Sequence, residues 1–160
     1  NSIVLSSFSK DLSLPGERIG YLAVHPEADD KTALLDAMTL ATRILGFVNA
    51  PALIQRVVAQ LQDAVVDNSV YARRRQLFCR ILEDAGYEFI KPKGAFYLFP
   101  KTTIDDDVAF CSLLQKQNIL AVPGRGFGAP GYIRLAFCTD EDYIVRSAAG
   151  FRAAFAEATS

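Results

Sequence analysis

The chain has 160 residues, of which 51% are hydrophobic and 22% are charged, and its net charge at pH 7 is -1. This is the composition of an ordinary globular domain, and it excludes disordered, collagen-like and low-complexity chains. The charge balance favours neither nucleic acid nor a membrane as the main partner. The longest stretch without Asp, Glu, Lys or Arg runs from Ile44 to Gln55, too short for a membrane span.

The cysteines and the histidine argue against a metal or disulfide framework. Cys79, Cys111 and Cys138 are odd in number and widely spaced, which fits neither paired disulfides nor a C-x-x-C metal motif. His25 is the single histidine, and it precedes Pro26 at the end of an apolar run. We therefore expect no metal site and a location in the reducing cytoplasm.

Strand and helix patterns alternate in the first part of the chain. Apolar runs at 3–5 and 18–24 predict two strands, which we expect to lie in a large parallel sheet. An acidic stretch then leads into a helix that extends to about residue 45. Asn49 is predicted to cap the next helix, whose apolar face is Ile54, Val57, Val58, Leu61 and Val65. Because the chain enters its first strand at once, we expect it to be part of a longer protein.

Helices and short strands follow. Asn68 is predicted to cap a helix that Gly86 ends, with the arginines 73–75 on its solvated face. Strands are predicted at 87–90, 95–99, 119–122 and 132–137, with a helix at 106–117 and another beginning at Thr139. This order predicts an α+β layer, in which helices pack on a small sheet.

Residues suited to chemistry are concentrated between the first two strands. Ser7, Ser9 and Lys10 follow the first strand, and Arg18 precedes Gly20 in the second. An amine and a guanidinium in one cavity suit a phosphorylated carbonyl compound, since the amine attacks the aldehyde and the guanidinium binds the phosphate. The amine reacts only when unprotonated, so partial burial and a cation such as Arg18 must lower its pKa.

These residues resemble the lysine motif of the aspartate-aminotransferase-like, fold type I enzymes, which use pyridoxal phosphate. The matching pattern is S-F-S-K at 7–10 with the arginine and glycine at the family's spacing. Segments at 92–97, 123–128 and 131–136 follow in the family's order. The resemblance covers essentially the whole chain and implies the C-terminal portion of a pyridoxal-phosphate-dependent aminotransferase.

The resemblance also implies how the cofactor is bound. Lys10 would form the Schiff base with pyridoxal phosphate and then move the proton at the substrate's Cα. Arg18 and Ser7 would hold the cofactor's phosphate, and Ser9 is a further predicted cofactor-binding residue. The alternative for Lys10 is an ordinary surface lysine, because Ser-x-Ser-Lys alone is a common sequence.

Two further residues are implied to contact the substrate. Arg134 would hold the α-carboxylate, a role that suits its planar fork of N–H donors, and Phe96 would line the substrate pocket. Arg134 as a structural residue of a strand edge and Phe96 as part of an alternating strand are the alternatives. Arg125 lies in a glycine-rich loop, where turn geometry is the favoured interpretation.

The implied fold class is α/β, with two domains. Residues 1–48 would be a remnant of the large cofactor-binding domain, and residues 49–160 a small α+β domain with helices on a short mixed sheet. About half of the family's usual length would be missing, including the residues that bind the cofactor ring. We therefore expect the 160 residues alone to be inactive.

The expected reaction transfers an amino group between an amino acid, with aspartate among the candidates, and a 2-oxo acid. The full-length protein is expected to be a homodimer with no nucleic-acid or membrane partner. Two alternatives stay open: a C–S β-lyase that uses the same lysine and arginines, and a ligand-sensing domain of a transcriptional regulator.

Overall fold

The computed structural model describes residues 1–160, which contain five strands and six α-helices. The strands are β1 (Ile3–Ser7), β2 (Gly20–Val24), β3 (Tyr97–Leu98), β4 (Val122–Pro123) and β5 (Ile133–Ala136). The helices are α1 (Phe8–Asp11), α2 (Lys31–Ile44), α3 (Ala52–Ala59), α4 (Asn68–Asp84), α5 (Asp107–Lys116) and α6 (Glu141–Thr159), and a one-turn 3-10 helix spans Gly124–Phe127. None of the helices combines the length and the apolar character that crossing a bilayer requires. Contacts divide the chain into two units, 1–66 and 67–160.

The first unit begins with a two-stranded ribbon. β1 and β2 pair antiparallel, from Ile3 opposite Val24 to Ser7 opposite Gly20. Both strands were expected, but the prediction that they lie in a parallel sheet is wrong for this pair. A parallel pair needs a crossover connection, usually a helix of several turns, whereas α1 has only four residues.

The helices of the first unit differ in how well the sequence predicts them. α2 lies within its predicted range, and none of its residues is buried. α3 is shorter than predicted and begins after Pro51, so Asn49 does not cap it. The backbone N–H groups of Gln60 and Leu61 bond three residues back, which tightens the last turn and ends the helix before Leu61.

The division at 66/67 lies later in the chain than the predicted domain boundary at 48/49. α3 therefore belongs with the ribbon and α2, rather than with the sheet and helices that follow. The predicted boundary refers to the large and small domains of a full-length fold type I enzyme, and it stays a prediction.

The second unit is a three-stranded sheet with helices packed on it. The strand order is β3-β5-β4, with Leu98 opposite Leu135 and Pro123 opposite Ile133. Both pairs are antiparallel, so the expected short sheet is confirmed, although it is not mixed. Its core is a set of large, fully buried apolar side chains: Leu82, Leu98, Phe110, Leu114, Ile133, Phe137, Ile144 and Phe151.

α4 ends where its sequence predicts, but its N-cap lies one residue before the predicted one. Its cap is Asp67, whose carboxylate accepts a hydrogen bond from the N–H of Ser69 at 2.9 Å, rather than the neighbouring Asn68. Gly86 follows the helix with φ +90°, a conformation that glycine adopts without strain. The prediction of this helix and its end is confirmed.

The arginines of α4 are not all on a solvated face. Arg73 lies 3.5 Å from Glu141 and Arg74 lies 3.4 Å from Asp140, both partners being at the start of α6. The Arg75 guanidinium donates to the carbonyl of Pro92. Because the side chain of Arg74 is only 19% exposed, the interpretation as a purely solvated face is wrong.

The segment 87–90 does not form the predicted strand. Tyr87 is its buried residue, with the ring packed against Phe110, Phe151 and Phe155. The Tyr87 hydroxyl donates to the carbonyl of Phe151 at 3.1 Å. The segment packs through this ring rather than through a ladder, and one backbone bond, from Lys101 N–H to the carbonyl of Glu88, joins it to the sheet region.

The start of the 3-10 helix depends on a glycine. A Cβ at Gly124 would lie 2.2 Å from the carbonyl oxygen of Ala129 and 2.6 Å from that of Tyr132. We expect Gly124→Ala to lower the free energy of unfolding by about 2 kcal/mol or more, because backbone must move to admit the methyl group. Urea unfolding of the full-length protein measures this loss, and Gly126→Ala is the matched control, since nothing lies within 4 Å of its added Cβ. Equal unfolding midpoints for the two variants would contradict the expectation.

Candidate active site

The predicted cofactor residues lie at one end of the β1–β2 ribbon. Ser7 ends β1 and caps α1, with its Oγ accepting a hydrogen bond from the N–H of Ser9 at 3.2 Å. The two serine hydroxyls are also hydrogen-bonded, at 2.9 Å. The N–H of Phe8 donates to the carbonyl of Ile19, so the turn that carries Lys10 is joined to the backbone beside Arg18.

Lys10 and Arg18 are both exposed in the structure. Lys10 is the third residue of the single-turn helix α1. Arg18 has φ +51°, and its Nη1 donates to the carbonyl of Pro15 at 2.9 Å, which leaves most of the guanidinium's N–H donors for another acceptor. The partial burial that a nucleophilic lysine needs is therefore not supplied by this unit.

A cleft of about 770 Å³ lies beside Arg18 within the first unit. Its polar lining includes Tyr21, Thr42, Asn49 and Gln55, whereas Lys10 is not among its lining residues. This volume is in the range of small-molecule sites. The structure thus gives Arg18 an open cleft, but it does not bring Lys10 into the same space.

The donors at the ribbon end fit a phosphorylated aldehyde. A phosphate dianion needs several N–H or O–H donors, and Ser7, Ser9 and Arg18 supply two hydroxyls and a guanidinium on one joined segment. The primary amine of Lys10 lies on the same short helix as Ser9. The residue types therefore suit pyridoxal phosphate, whose phosphate needs such donors and whose aldehyde reacts with a primary amine.

Arg134 lies in β5 at the centre of the sheet of the second unit. Its guanidinium carbon is 4.6 Å from the ring centroid of Tyr97 and 4.1 Å from that of Phe127. The residue is half-buried, and no carboxylate lies within 4 Å of it. An arginine stacked on aromatic rings and lacking an ion-pair partner keeps its N–H edge for an anion from outside the chain.

Phe96 packs next to this arginine site. Its ring centroid is 4.6 Å from that of Tyr97 and 6.4 Å from that of Tyr71. Phe96 is half-buried against the core of the second unit. Its predicted role in a substrate pocket stays a prediction.

Sequence reasoning missed the two rings that contact Arg134. Tyr97 follows the predicted Phe96 directly, and Phe127 lies between glycines in the turn at 123–128. A large aromatic side chain between two glycines was a usable signal, because turns favour small and polar residues. Phe127 is 47% exposed, and it also packs edge-on to Phe99 with centroids 6.0 Å apart.

Arg125 has a role beyond turn geometry. Its backbone N–H donates to Asp107 Oδ2 at 2.8 Å, its Nε donates to Asp107 Oδ1, and its Nη2 donates to Asp106 Oδ1 at 2.7 Å. Burial by itself raises the pKa of the Asp107 carboxyl, but the hydrogen bonds and charge of Arg125 outweigh burial and hold that pKa below its ordinary value. Asp107 is thus an ionised carboxylate that is hydrogen-bonded to Arg125. No motif in the sequence indicated this pair.

The six predicted site residues fall in different units. Ser7, Ser9, Lys10 and Arg18 belong to the first, and the other two, Phe96 and Arg134, belong to the second. The convergence of the lysine and both arginines in one cavity therefore stays a prediction.

Comparison with known proteins identifies the same family as the motifs. Residues 1–149 match the family model described as aminotransferase class I and II. The aspartate aminotransferase of Thermotoga maritima is 34% identical over 91% of this chain, and the aromatic-amino-acid aminotransferase 2 of Thermococcus litoralis is 34% identical over 86% of it. The chain spans 37% of the length of each of these relatives.

Solved structures agree with this assignment. The crystal structure of an aminotransferase from Eubacterium rectale superimposes with a TM-score of 0.90 and 41% identity, covering 100% of this chain and 40% of the other. The aspartate aminotransferase structure from Thermotoga maritima gives a TM-score of 0.75 at 28% identity, covering 94% of this chain and 39% of the other.

Proposed function

Because this chain belongs to the class I and II aminotransferase family, we propose that the full-length protein is a pyridoxal-phosphate-dependent enzyme that transfers an amino group between an amino acid and a 2-oxo acid. The observation that carries the proposal is Arg134, a half-buried guanidinium packed against two rings with no carboxylate partner of its own. Its planar N–H edge suits an α-carboxylate, the group that all amino acids and 2-oxo acids share.

Each residue has a role in this proposal. Ser7, Ser9 and Arg18 bind the phosphate, and Lys10 carries the cofactor. Pyridoxal phosphate, when bound, supplies an aldehyde that takes the amino group and a ring that withdraws electrons from the substrate's Cα. The Nζ of Lys10 removes and returns the proton at that Cα, and Arg134 fixes the carboxylate so that the Cα–H bond has a set orientation.

Arg134 binds the substrate without help from a charged neighbour. The rings of Tyr97 and Phe127 lie against the half-buried guanidinium, and its partial removal from water strengthens its bonds to a carboxylate. Two parallel N–H to oxygen bonds then define the plane of the carboxylate. A single ammonium group in this position would hold the same charge but would not fix that plane.

An absorbance titration of the full-length protein with pyridoxal phosphate tests the function. For an aminotransferase, we expect an amino acid alone to shift the cofactor band while one equivalent of 2-oxo acid is released, and a different 2-oxo acid to restore the band. Aspartate is the first substrate to test, followed by phenylalanine and leucine. Release of a thiol and pyruvate from cystathionine would instead show a β-lyase, and a band shift without product would show a ligand sensor.

The rest of the proposal concerns the protein as a whole. The 160 residues alone are expected to show no turnover, since the chain spans 37% of the relatives' length and leaves Lys10 exposed. We also propose a cytoplasmic homodimer with neither nucleic acid nor membrane as a partner. The three free cysteines support the reducing compartment, and light scattering on the full-length protein tests the dimer.

A further inference from the structure

The ring on Arg134 comes from a turn that has little rigidity of its own. Phe127 lies in the segment Gly124–Gly128, where glycine occupies every second position. Glycine leaves a backbone free to adopt many conformations. The position of the Phe127 ring, 4.1 Å from the guanidinium carbon of Arg134, therefore has to be set by contacts from elsewhere.

The ring itself also packs edge-on to Phe99, and the backbone of the turn is held from the start of α5. Asp107 is fully buried and uses both carboxylate oxygens on Arg125, one on the backbone N–H at 2.8 Å and one on Nε. Asp106 accepts from Nη2 of the same guanidinium at 2.7 Å. The backbone and the side chain of Arg125 are thus held by one helix end, which fixes the middle of the turn.

Fixing Arg125 also fixes Phe127. The two residues belong to the same one-turn 3-10 helix, Gly124–Phe127, and the N–H of Gly128 returns to the carbonyl of Arg125 at 3.3 Å. Gly124 fastens the other end of the turn, with its N–H donating to the carbonyl of Tyr132 at 2.7 Å. Phe127 follows Arg125 by two residues, and its ring contacts the guanidinium of Arg134.

We propose that Asp107 is a positioning residue for the substrate's carboxylate: by holding Arg125, it keeps Phe127 on the Arg134 guanidinium and so holds that guanidinium ready to bind. This inference rests on the proposed function, in which Arg134 binds the α-carboxylate. Asp107 itself contacts neither substrate nor cofactor. Its effect reaches the substrate through Arg125, the turn and the ring.

The consequence for binding is conformational. An arginine side chain has many rotamers, and ordering them on binding costs free energy. With the ring in place, the guanidinium is already ordered, and its affinity for a carboxylate is higher. When the turn is released, the carboxylate site loosens, while Lys10 and the cofactor residues, which lie in the other unit, keep their own contacts.

The test uses the full-length protein with pyridoxal phosphate and the variants Asp107→Asn, Phe127→Ala and the double variant. Each single variant is expected to raise the KM for the amino acid about tenfold, with kcat within about twofold of the parent. The amine-free analogues succinate, 3-phenylpropionate and 4-methylpentanoate are tested as inhibitors. Their inhibition constants are expected to rise by the same factor as the KM. The double variant is expected to be no weaker than Phe127→Ala alone, because both substitutions act through one ring.

The controls separate positioning from simple stability. Lys116→Gln breaks another ion pair of α5, with Glu157 at 2.9 Å, and is expected to leave the KM unchanged. If Asp107→Asn does not fold, Arg125→Gln replaces it, and Arg125→Lys is expected to restore part of the affinity. A KM that stays unchanged in the Asp107 or Arg125 variants, or losses that add in the double variant, would overturn the inference alone. If Arg134→Gln also leaves the KM unchanged, the proposed carboxylate site fails as well.

Discussion

Replacing Lys10 with alanine is expected to lower turnover of the full-length enzyme by about 10⁴-fold, because the substrate's Cα loses the base that removes and returns its proton. The same substitution removes the amine that carries the cofactor. The absorbance band of the bound cofactor is therefore expected to change as well. Reduction with borohydride, followed by peptide mapping, is expected to fix the cofactor on the peptide that contains Lys10 in the parent and on no peptide in the variant.

Lys31→Ala is the matched control for this prediction. Lys31 is an exposed lysine of the same unit, and its Nζ donates to the carbonyl of Pro26 at 3.3 Å. We expect its removal to leave turnover, the cofactor band and the labelled peptide unchanged. Turnover retained in Lys10→Ala, or borohydride labelling on another lysine, would show that Lys10 is not the residue that carries the cofactor.

Periodicity predicted the elements whose apolar face meets the core. The predicted helices at 68–85, at 106–117 and after 139 are present as α4, α5 and α6, with Phe110, Leu114, Ile144 and Phe151 buried. Periodicity failed where the apolar residues do not lie on the buried face of a helix or strand. Leu61 and Val65 continue the pattern of α3 but lie beyond its end. Tyr87 was expected in a strand, but it lies outside the strands and packs its ring in a buried aromatic cluster.

The pairing of the ribbon shows another limit of sequence reasoning. Ile3–Ser7 and Gly20–Val24 were expected as strands, but a run of apolar residues does not say whether its partner is parallel or antiparallel. The length of the connection does not decide the matter either, because residues 8–19 are long enough for a short crossover, and only the structure shows that they hold a helix of four residues.

The candidate site was predictable where a motif lies within one stretch of chain. The spacing of Lys10, Arg18 and Gly20 is local, and Arg134 is set in a recognisable strand. Contacts made across the fold gave no such signal: Asp107 and Arg125 are 18 residues apart, and each looks ordinary in its own segment. Tyr97 and Phe127 likewise became site residues only once β3, β5 and the turn at 124–127 were placed together.

Replacing Arg134 with glutamine is expected to raise the KM for the amino acid about 100-fold. Two charge-assisted hydrogen bonds are lost and one neutral bond replaces them, a difference of about 3 kcal/mol. The cofactor band is expected to persist, since the phosphate and the lysine bind through other residues. Arg134→Lys is expected to fall between the parent and the glutamine variant, because an ammonium keeps the charge but cannot bind both carboxylate oxygens in a plane.

Steady-state kinetics with the amino acid and inhibition by its amine-free analogue measure the loss at Arg134 separately from the chemistry at Cα. Arg146→Gln is the matched control, because Arg146 also stacks on a ring, at 4.7 Å from the centroid of Tyr143, but is itself exposed on the outer face of α6. We expect that control to match the parent in KM. If the two glutamine variants behave alike, stacking on an aromatic ring does not by itself mark a carboxylate site, and the substrate's acid group must bind elsewhere. A selective loss at Arg134 would mean that its vacant N–H edge, rather than its stacking, makes this arginine the substrate's partner.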